Sequence, residues 1–285
     1  MNNVSSQLKA SEGAGVLSPV NTSKKSSSLH DDGQSYRLHQ IQGYIQNIFL
    51  VEYKHGCMLL DGACKADLSV VSKYFEQRLK RPLSDLKVVM VTHMHPDHAG
   101  CAHLLRKLSG CKVICGYFDE HWYKGIKGAL SHLTDIALSH WVAGRLGIKR
   151  RLIWYPRKLK PDLMLQNKEN IPGFEDWHVI STPGHTAMDI SIVHNKTKRM
   201  YVADLIVKVK GKLCPPFPVY FPHHYKQSLQ KLYDYQGYEL MMAHVKNREL
   251  KAGDIRTLIN KAPDRPQHNS QVILDRAKRL ARLHK

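Results

Sequence analysis

Four side chains able to hold a metal ion fall within six residues: His93, His95, Asp97 and His98, in the segment Thr92-His93-Met94-His95-Pro96-Asp97-His98-Ala99-Gly100. His93 and His95 are two apart, so on an extended chain both rings point to one side. Pro96 then bends the path. Asp97 and His98 open a helix and can face a second point beside the first. Imidazole nitrogen and carboxylate oxygen are the ligand set of zinc and its first-row neighbours. The chain has 18 histidines, so one histidine pair would mean little. Four donors at a strand–helix junction are the pattern of a metal site.

The surrounding sequence supplies the elements that must position this segment. Val88–Val91 is a short apolar run, as in a strand buried on both faces. The stretch from His98 to Leu108 reads as a helix stopped by Gly110. Strands are also predicted over 44–51, 57–60, 112–115, 177–181, 190–194, 200–203 and 239–243. Helices are predicted over 66–80, 225–236 and 249–261. Order should begin near Tyr36. Residues 1–34 are rich in Ser, Asn and Gly, and are expected to form a disordered tail. Residues 120–165 break the strand–helix rhythm. There Ile126, Leu130, Leu133, Ile136, Ala137 and Trp141 recur at helical spacing, which predicts a helical insertion over the domain. Trp122, Tyr123, Trp141, Trp154 and Tyr155 would either line an apolar pocket in it or form its own core. The hydrolase domain is expected over 35–262. A basic amphipathic helix is expected in 263–285.

The His-x-His-x-Asp-His segment after a strand resembles the metallo-β-lactamase-fold hydrolases. Other segments match that family in the expected order: Asp61 after strand 57–60, Thr182-Pro183-Gly184-His185-Thr186, Asp204 after strand 200–203, and His244 after strand 239–243. The likeness spans roughly residues 36–250. It implies an α/β fold, a four-layer αβ/βα sandwich of two mixed sheets flanked by helices. It also implies two divalent cations, zinc first, with iron or manganese as alternatives. His93, His95 and His185 would hold one cation, and Asp97, His98 and His244 the other. Asp204 would bridge them, and Asp61 would steady the ligands from behind. The sequence departs from the family in three places. Cys101 follows Gly100, Ala187-Met188-Asp189 follows the Pro-Gly-His-Thr segment, and His244 lacks flanking glycine. His223 and His224 compete for the role of His244 but lie close after Asp204, and are assigned to the cleft or the surface.

On this resemblance a water between two cations, lowered in pKa, would be the nucleophile. Asp97 would orient it and help protonate the leaving group. Aspartate rather than cysteine at position 204 makes the ligand set similar to that of lactonases and glyoxalase II-like thioesterases. The substrate is then expected to be a small carboxylic ester, thioester or lactone. The alternatives are a phosphodiesterase or nuclease of the same superfamily, and a non-catalytic metal-binding relative.

Composition bounds the partners. The net charge is +19, and two segments carry most of it. Residues 124–160 hold nine Lys or Arg and one Asp, and residues 246–285 hold eleven Lys or Arg and four acids. Such a field favours anionic substrates, nucleic acid or acidic membrane surfaces. Nucleic acid is not favoured here, because the chain lacks room for the extra domain of the longer nuclease branch. No stretch approaches the roughly 18 apolar residues of a membrane span. Six cysteines, none in a CxxC pair, are expected to be reduced thiols. No secretory signal is visible, and a cytoplasmic protein is expected.

Overall fold

The computed structural model describes residues 28–29, 36–209 and 211–268. The first sheet contains β1 (Ser28–Leu29), β2 (Tyr36–Gln42), β3 (Asn47–Tyr53), β4 (Gly56–Leu59), β5 (Leu86–Val91), β6 (Lys112–Gly116) and β7 (Leu163–Leu165), in that spatial order. Its first four strands are antiparallel, and β4 to β7 run parallel. The second sheet is built from β8 (Asn170–Ile171), β9 (Phe174–Ser181), β10 (Ile190–His194), β11 (Arg199–Tyr201), β14 (Glu239–Met241) and β15 (Arg248–Glu249). A small hairpin, β12 (Val207–Val209) with β13 (Lys212–Cys214), stands apart from both.

Alternation along the strands builds the layers. In β5, Val88 and Met90 face the second sheet, and Val89 and Val91 face the helices. Met58 and Leu60 likewise point between the sheets, while Cys57 and Leu59 point outward to helices. In the second sheet Trp177, Val179, Ile192 and Tyr201 meet the first sheet, whereas Ile180, Val193 and Met200 meet helices. Both faces of both sheets are thus apolar and covered. This is the four-layer αβ/βα sandwich. Trp177 is fully buried between the sheets and its indole N–H donates to the Tyr53 hydroxyl at 3.2 Å. That satisfies the one polar atom of the largest core side chain.

The helices are α1 (Leu68–Lys73), α2 (Pro96–Ala99), α3 (Ala102–Ser109), α4 (Gly125–Arg145), α5 (Pro222–Lys231) and α6 (Ala252–Lys261). The helix expected over 98–108 is broken into α2 and α3. A Cβ at Gly100 would lie 2.2 Å from the Pro96 carbonyl oxygen and 2.8 Å from the Lys65 nitrogen, so two backbones approach there as only glycine allows. Residues 163–165, expected to belong to the insertion, pair with β6 as an edge strand. Residues 263–268, where a C-terminal helix was expected to begin, are irregular, and 269–285 lie outside the described residues. Of the expected N-terminal tail, Ser28 and Leu29 pair with β2, and the rest of 1–34 also lies outside them. All six cysteines are free thiols. No helix among the described residues is long and apolar enough to cross a membrane.

Candidate metal centre

Topology brings the chemistry to one edge. β4 and β5 are parallel neighbours, so Asp61 and the 92–98 segment leave the first sheet side by side. In the second sheet β9 and β11 both run antiparallel to β10, and β14 runs parallel to β11. The carboxyl ends of β9, β11 and β14 therefore share an edge, and from them follow His185, Asp204 and His244. Ala203, immediately before Asp204, has φ of +44°. A non-glycine residue held there costs roughly 1–2 kcal/mol, and such strain clusters at functional sites.

The structure gathers these side chains into two adjoining groups. Ligand atoms of His93, His95, His185 and Asp204 lie within 4.8 Å of one another, as do those of Asp97, His98 and His244. Asp204 joins the groups: its Oδ2 is 3.8 Å from His93 Nε2 and 3.7 Å from His185 Nε2, and its Oδ1 is 3.5 Å from His98 Nε2 and 3.2 Å from His244 Nε2. Asp97 Oδ2 lies 3.4 Å from His98 Nε2 and 3.3 Å from His244 Nε2. His223 and His224, the competitors for His244, sit exposed on α5.

Four of the five imidazoles turn one nitrogen to the centre and hydrogen-bond the other to a fixed partner. His185 Nδ1 donates to the Pro218 carbonyl at 2.6 Å, and His244 Nδ1 to the Ile45 carbonyl at 3.1 Å. His98 Nδ1 donates to Asp61 Oδ2 at 2.6 Å. His93 Nδ1 reaches the Thr92 hydroxyl at 3.1 Å, and that hydroxyl donates to Asp61 Oδ2 at 2.8 Å. Tyr201 adds a third donor to the same oxygen at 3.0 Å. Asp61 thus orients two rings at once, the arrangement that fixes the tautomer of a metal-ligating histidine.

His95 is reversed. Its Nδ1 faces the centre, 3.0 Å from both His93 Nε2 and His185 Nε2. Its Nε2 faces Asp135 Oδ2 of α4 at 3.7 Å. Asp135 is buried and accepts a 2.8 Å hydrogen bond from the Tyr123 hydroxyl. The buried Tyr155 hydroxyl donates to the Met94 carbonyl inside the motif, and the Tyr123 oxygen lies 3.3 Å from that carbonyl. Sequence reasoning missed this network. Its signal was present: Asp135 is the one acid in a segment with nine Lys or Arg. Tyr123 and Tyr155 therefore serve polar contacts in the core. Trp154 meets them through His132, which packs against all three rings.

Asp189, which departs from the family pattern, also has a place. Its carboxylate takes hydrogen bonds from the Thr186 amide and hydroxyl, and so closes the loop that carries His185.

Electrostatics separate the two groups. Burial and the neighbouring His98 and His95 push His93 well below its ordinary pKa. Burial and His185 lower His95 to about 3. In the other group burial is outweighed by carboxylates: Asp97, Asp61 and Asp204 hold His98 well above its usual value, and Asp204 raises His244 to about 9. Asp204 itself is held well below the carboxylate range; burial opposes this, but His98 and His244 prevail.

The donor set fits divalent cations. His98 Nε2 and Asp204 Oδ1 are buried and have no hydrogen-bond partner, although each faces the centre. Polar atoms so placed are costly unless something binds them. Two carboxylates and imidazoles with outward-facing partners supply both charge and directed lone pairs.

Comparison with known proteins agrees with this geometry. The model of the metallo-beta-lactamase superfamily matches residues 41–239, more than two thirds of the chain, and the chain belongs to that superfamily. The probable metallo-hydrolase YqjP of Bacillus subtilis (strain 168) is 27% identical over 135 residues, 44% of this chain and 41% of that protein. The matched stretch therefore spans less than half the length of that curated relative. Among solved structures, the metallo-beta-lactamase family protein TTHA1429 of Thermus thermophilus superposes with a TM-score of 0.58 at 17% identity, covering 78% of this chain and 77% of that one. The archaeal superfamily protein ST1585 of Sulfolobus tokodaii does so with a TM-score of 0.53 at 16% identity, covering 77% and 83%. These likenesses concern the fold.

Proposed function

We propose that the chain is a metal-dependent hydrolase that holds two divalent cations and cleaves a carboxylic ester, thioester or lactone. The observation that carries this reading is the convergence of five oriented imidazoles and two carboxylates on one point, with His98 Nε2 and Asp204 Oδ1 buried there without partners. His93, His95 and His185 would hold one cation, Asp97, His98 and His244 the other, and Asp204 both. Such cations, when bound, acidify water and polarise the scissile carbonyl. Zinc suits imidazole and carboxylate donors, with iron and manganese as alternatives.

The residues do the rest. Asp61 keeps the His98 ring turned and, through Thr92, the His93 ring. Asp135 places a carboxylate 3.7 Å from the outward nitrogen of His95. Asp97 has an oxygen facing the centre, from which it can orient a water and pass a proton to the leaving group. His244 is the most open member, its side chain 28% exposed, so the substrate enters on that side. Aspartate at 204 supports the lactonase and glyoxalase II-like branch over the antibiotic-degrading one.

The test is turnover of p-nitrophenyl esters, thioesters and lactones against bis-p-nitrophenyl phosphate, with and without chelator, alongside metal analysis. Chelator-sensitive acyl hydrolysis with close to two equivalents of metal is expected. Activity that ignores the chelator would overturn the metal mechanism. Chelator-sensitive cleavage of the phosphodiester alone would move the chain to the phosphodiesterase branch.

A further inference from the structure

The turn Gly43-Tyr44-Ile45-Gln46 between β2 and β3 carries no candidate ligand. It reaches two of them from behind. The Ile45 carbonyl accepts the hydrogen bond from His244 Nδ1, and the Gln46 side-chain amide donates to the Asp97 carbonyl at 3.1 Å. That carbonyl needs an outside donor because the helix breaks at Gly100. In an unbroken helix the Cys101 N–H would reach it. Here that N–H donates to the Gly62 and Ala63 carbonyls instead, at 3.2 and 3.0 Å. Next in the chain, Asn47 opens β3 and grips the loop that carries His244. Its N–H donates to the Ala243 carbonyl at 2.6 Å, and its side-chain amide donates to the carbonyls of Met242 and Val245 at 3.1 and 2.9 Å. Asp97 follows the first sheet and His244 the second, so the turn ties together ligands delivered by different sheets. Among the described residues, none of its hydrogen bonds goes to His93, His95 or His185.

The turn is anchored on Asp67. That carboxylate is fully buried, and its partners are three neutral donors. Oδ1 accepts the Tyr44 N–H at 2.6 Å, and Oδ2 accepts the Gln46 amide at 3.0 Å and the Cys64 N–H at 3.1 Å. A buried charge is costly unless its lone pairs are filled, and here they are. The turn itself is already closed by the Gly43 N–H on the Gln46 carbonyl at 2.8 Å. What Asp67 adds is direction. It holds the chain at Tyr44 and the side chain at Gln46, and the Ile45 carbonyl between them meets His244. Gln46 completes the set, because its Oε1 accepts the Ile45 N–H at 3.2 Å. Its amide nitrogen has two protons, one for Asp67 and one for the Asp97 carbonyl.

Given two cations held as set out above, we propose that Asp67 and Gln46 position the second one. The buried carboxylate fixes the turn, and the turn sets the Asp97 backbone and the His244 ring. Neither residue offers a ligand atom. Their place resembles that of Asp61, which orients His98 and His93, but their reach is confined to the second group.

The test is a titration of the full-length protein, stripped with chelator, with cobalt(II), followed by visible absorption and calorimetry. Wild type should take up two equivalents in two steps, and the step lost in His244→Ala marks the second group. Gln46→Met keeps the volume and leaves Asp67 in place. It should weaken that step by about tenfold or more and leave the other unchanged. Asp67→Asn, which puts an amide where three donors point, should do the same. A Gln46→Met protein that binds both equivalents as wild type, or weakens both alike, would overturn the proposal whatever its melting temperature, because a merely structural role moves both steps or neither. Wild type that takes up fewer than two equivalents would overturn the two-cation reading, and the positioning role with it.

Discussion

The two groups of ligands that meet at Asp204 are similar in composition and opposite in electrostatic state. The first, His93, His95 and His185, is deeply buried and contains no carboxylate of its own. Burial and mutual repulsion keep His93 and His95 unprotonated, which is the state that binds a cation. The second contains Asp97 and opens to solvent through His244. Its carboxylates draw protons onto His98 and His244. A cation in the first group would meet ready lone pairs. One in the second would have to displace protons, and would gain more charge neutralisation for doing so. The two groups at one edge of the fold thus differ because desolvation dominates at one and Coulomb attraction at the other.

The largest expected effect removes what the groups share. Asp204→Ala should empty both sites and take hydrolysis to background, as read by metal analysis and turnover together. Retention of two equivalents of metal would show that the groups are independent.

Next comes a change confined to the first group. Gly184 has φ of +151°, and a Cβ there would sit 2.5 Å from the Tyr225 backbone. Gly184→Ala should destabilise the fold by about 2–3 kcal/mol and displace His185, with a drop in thermal midpoint and loss of the first metal before the second.

Substitutions behind the ligands should separate the groups more gently. Asp61 holds both His98 and, through Thr92, His93, so Asp61→Ala should weaken metal binding at both sites by about 10- to 100-fold. Asp135 faces His95 in the first group, so Asp135→Asn should weaken the first site, by about tenfold, in a metal titration. Equal weakening of both sites by Asp135→Asn would break the comparison.

The smallest effect is the pH dependence. His98 is raised well above its ordinary value and His244 to about 9, so both hold protons at neutral pH that a cation must displace. Affinity of the second site should therefore rise with pH from about 6 to about 9, with proton release on binding. His93 and His95 are lowered, so neither should release a proton to a cation over that interval. Titrations at pH 6, 7.5 and 9 would check both slopes.

The His-x-His-x-Asp-His segment, the central strands and the candidate ligands that follow them were legible because their signals are local. Spacing of two on an extended chain sets His93 and His95 on one side whatever surrounds them. A proline after them forces the turn, and a buried strand of Val88–Val91 shows as an apolar run. His244, without flanking glycines, was also legible from its place after a strand. The break at Gly100 was not, because it depends on the close approach of the Lys65 backbone from another segment.

The insertion marks the boundary of that legibility. Its helical period was plain in the sequence, and so was its excess of Lys and Arg. The sequence alone could not say which face would turn inward. Hydrophobicity favoured burying Ile126, Leu130 and Leu133, but the tertiary structure buries Asp135 and His132 instead. That face sets Asp135 beside His95 and packs His132 against the rings of Tyr123, Trp154 and Tyr155. What the sequence by itself determined was the set of candidate ligands and the strands that deliver them. What only the packing of two sheets and their helices decided was the convergence of those ligands and the charge state of each group.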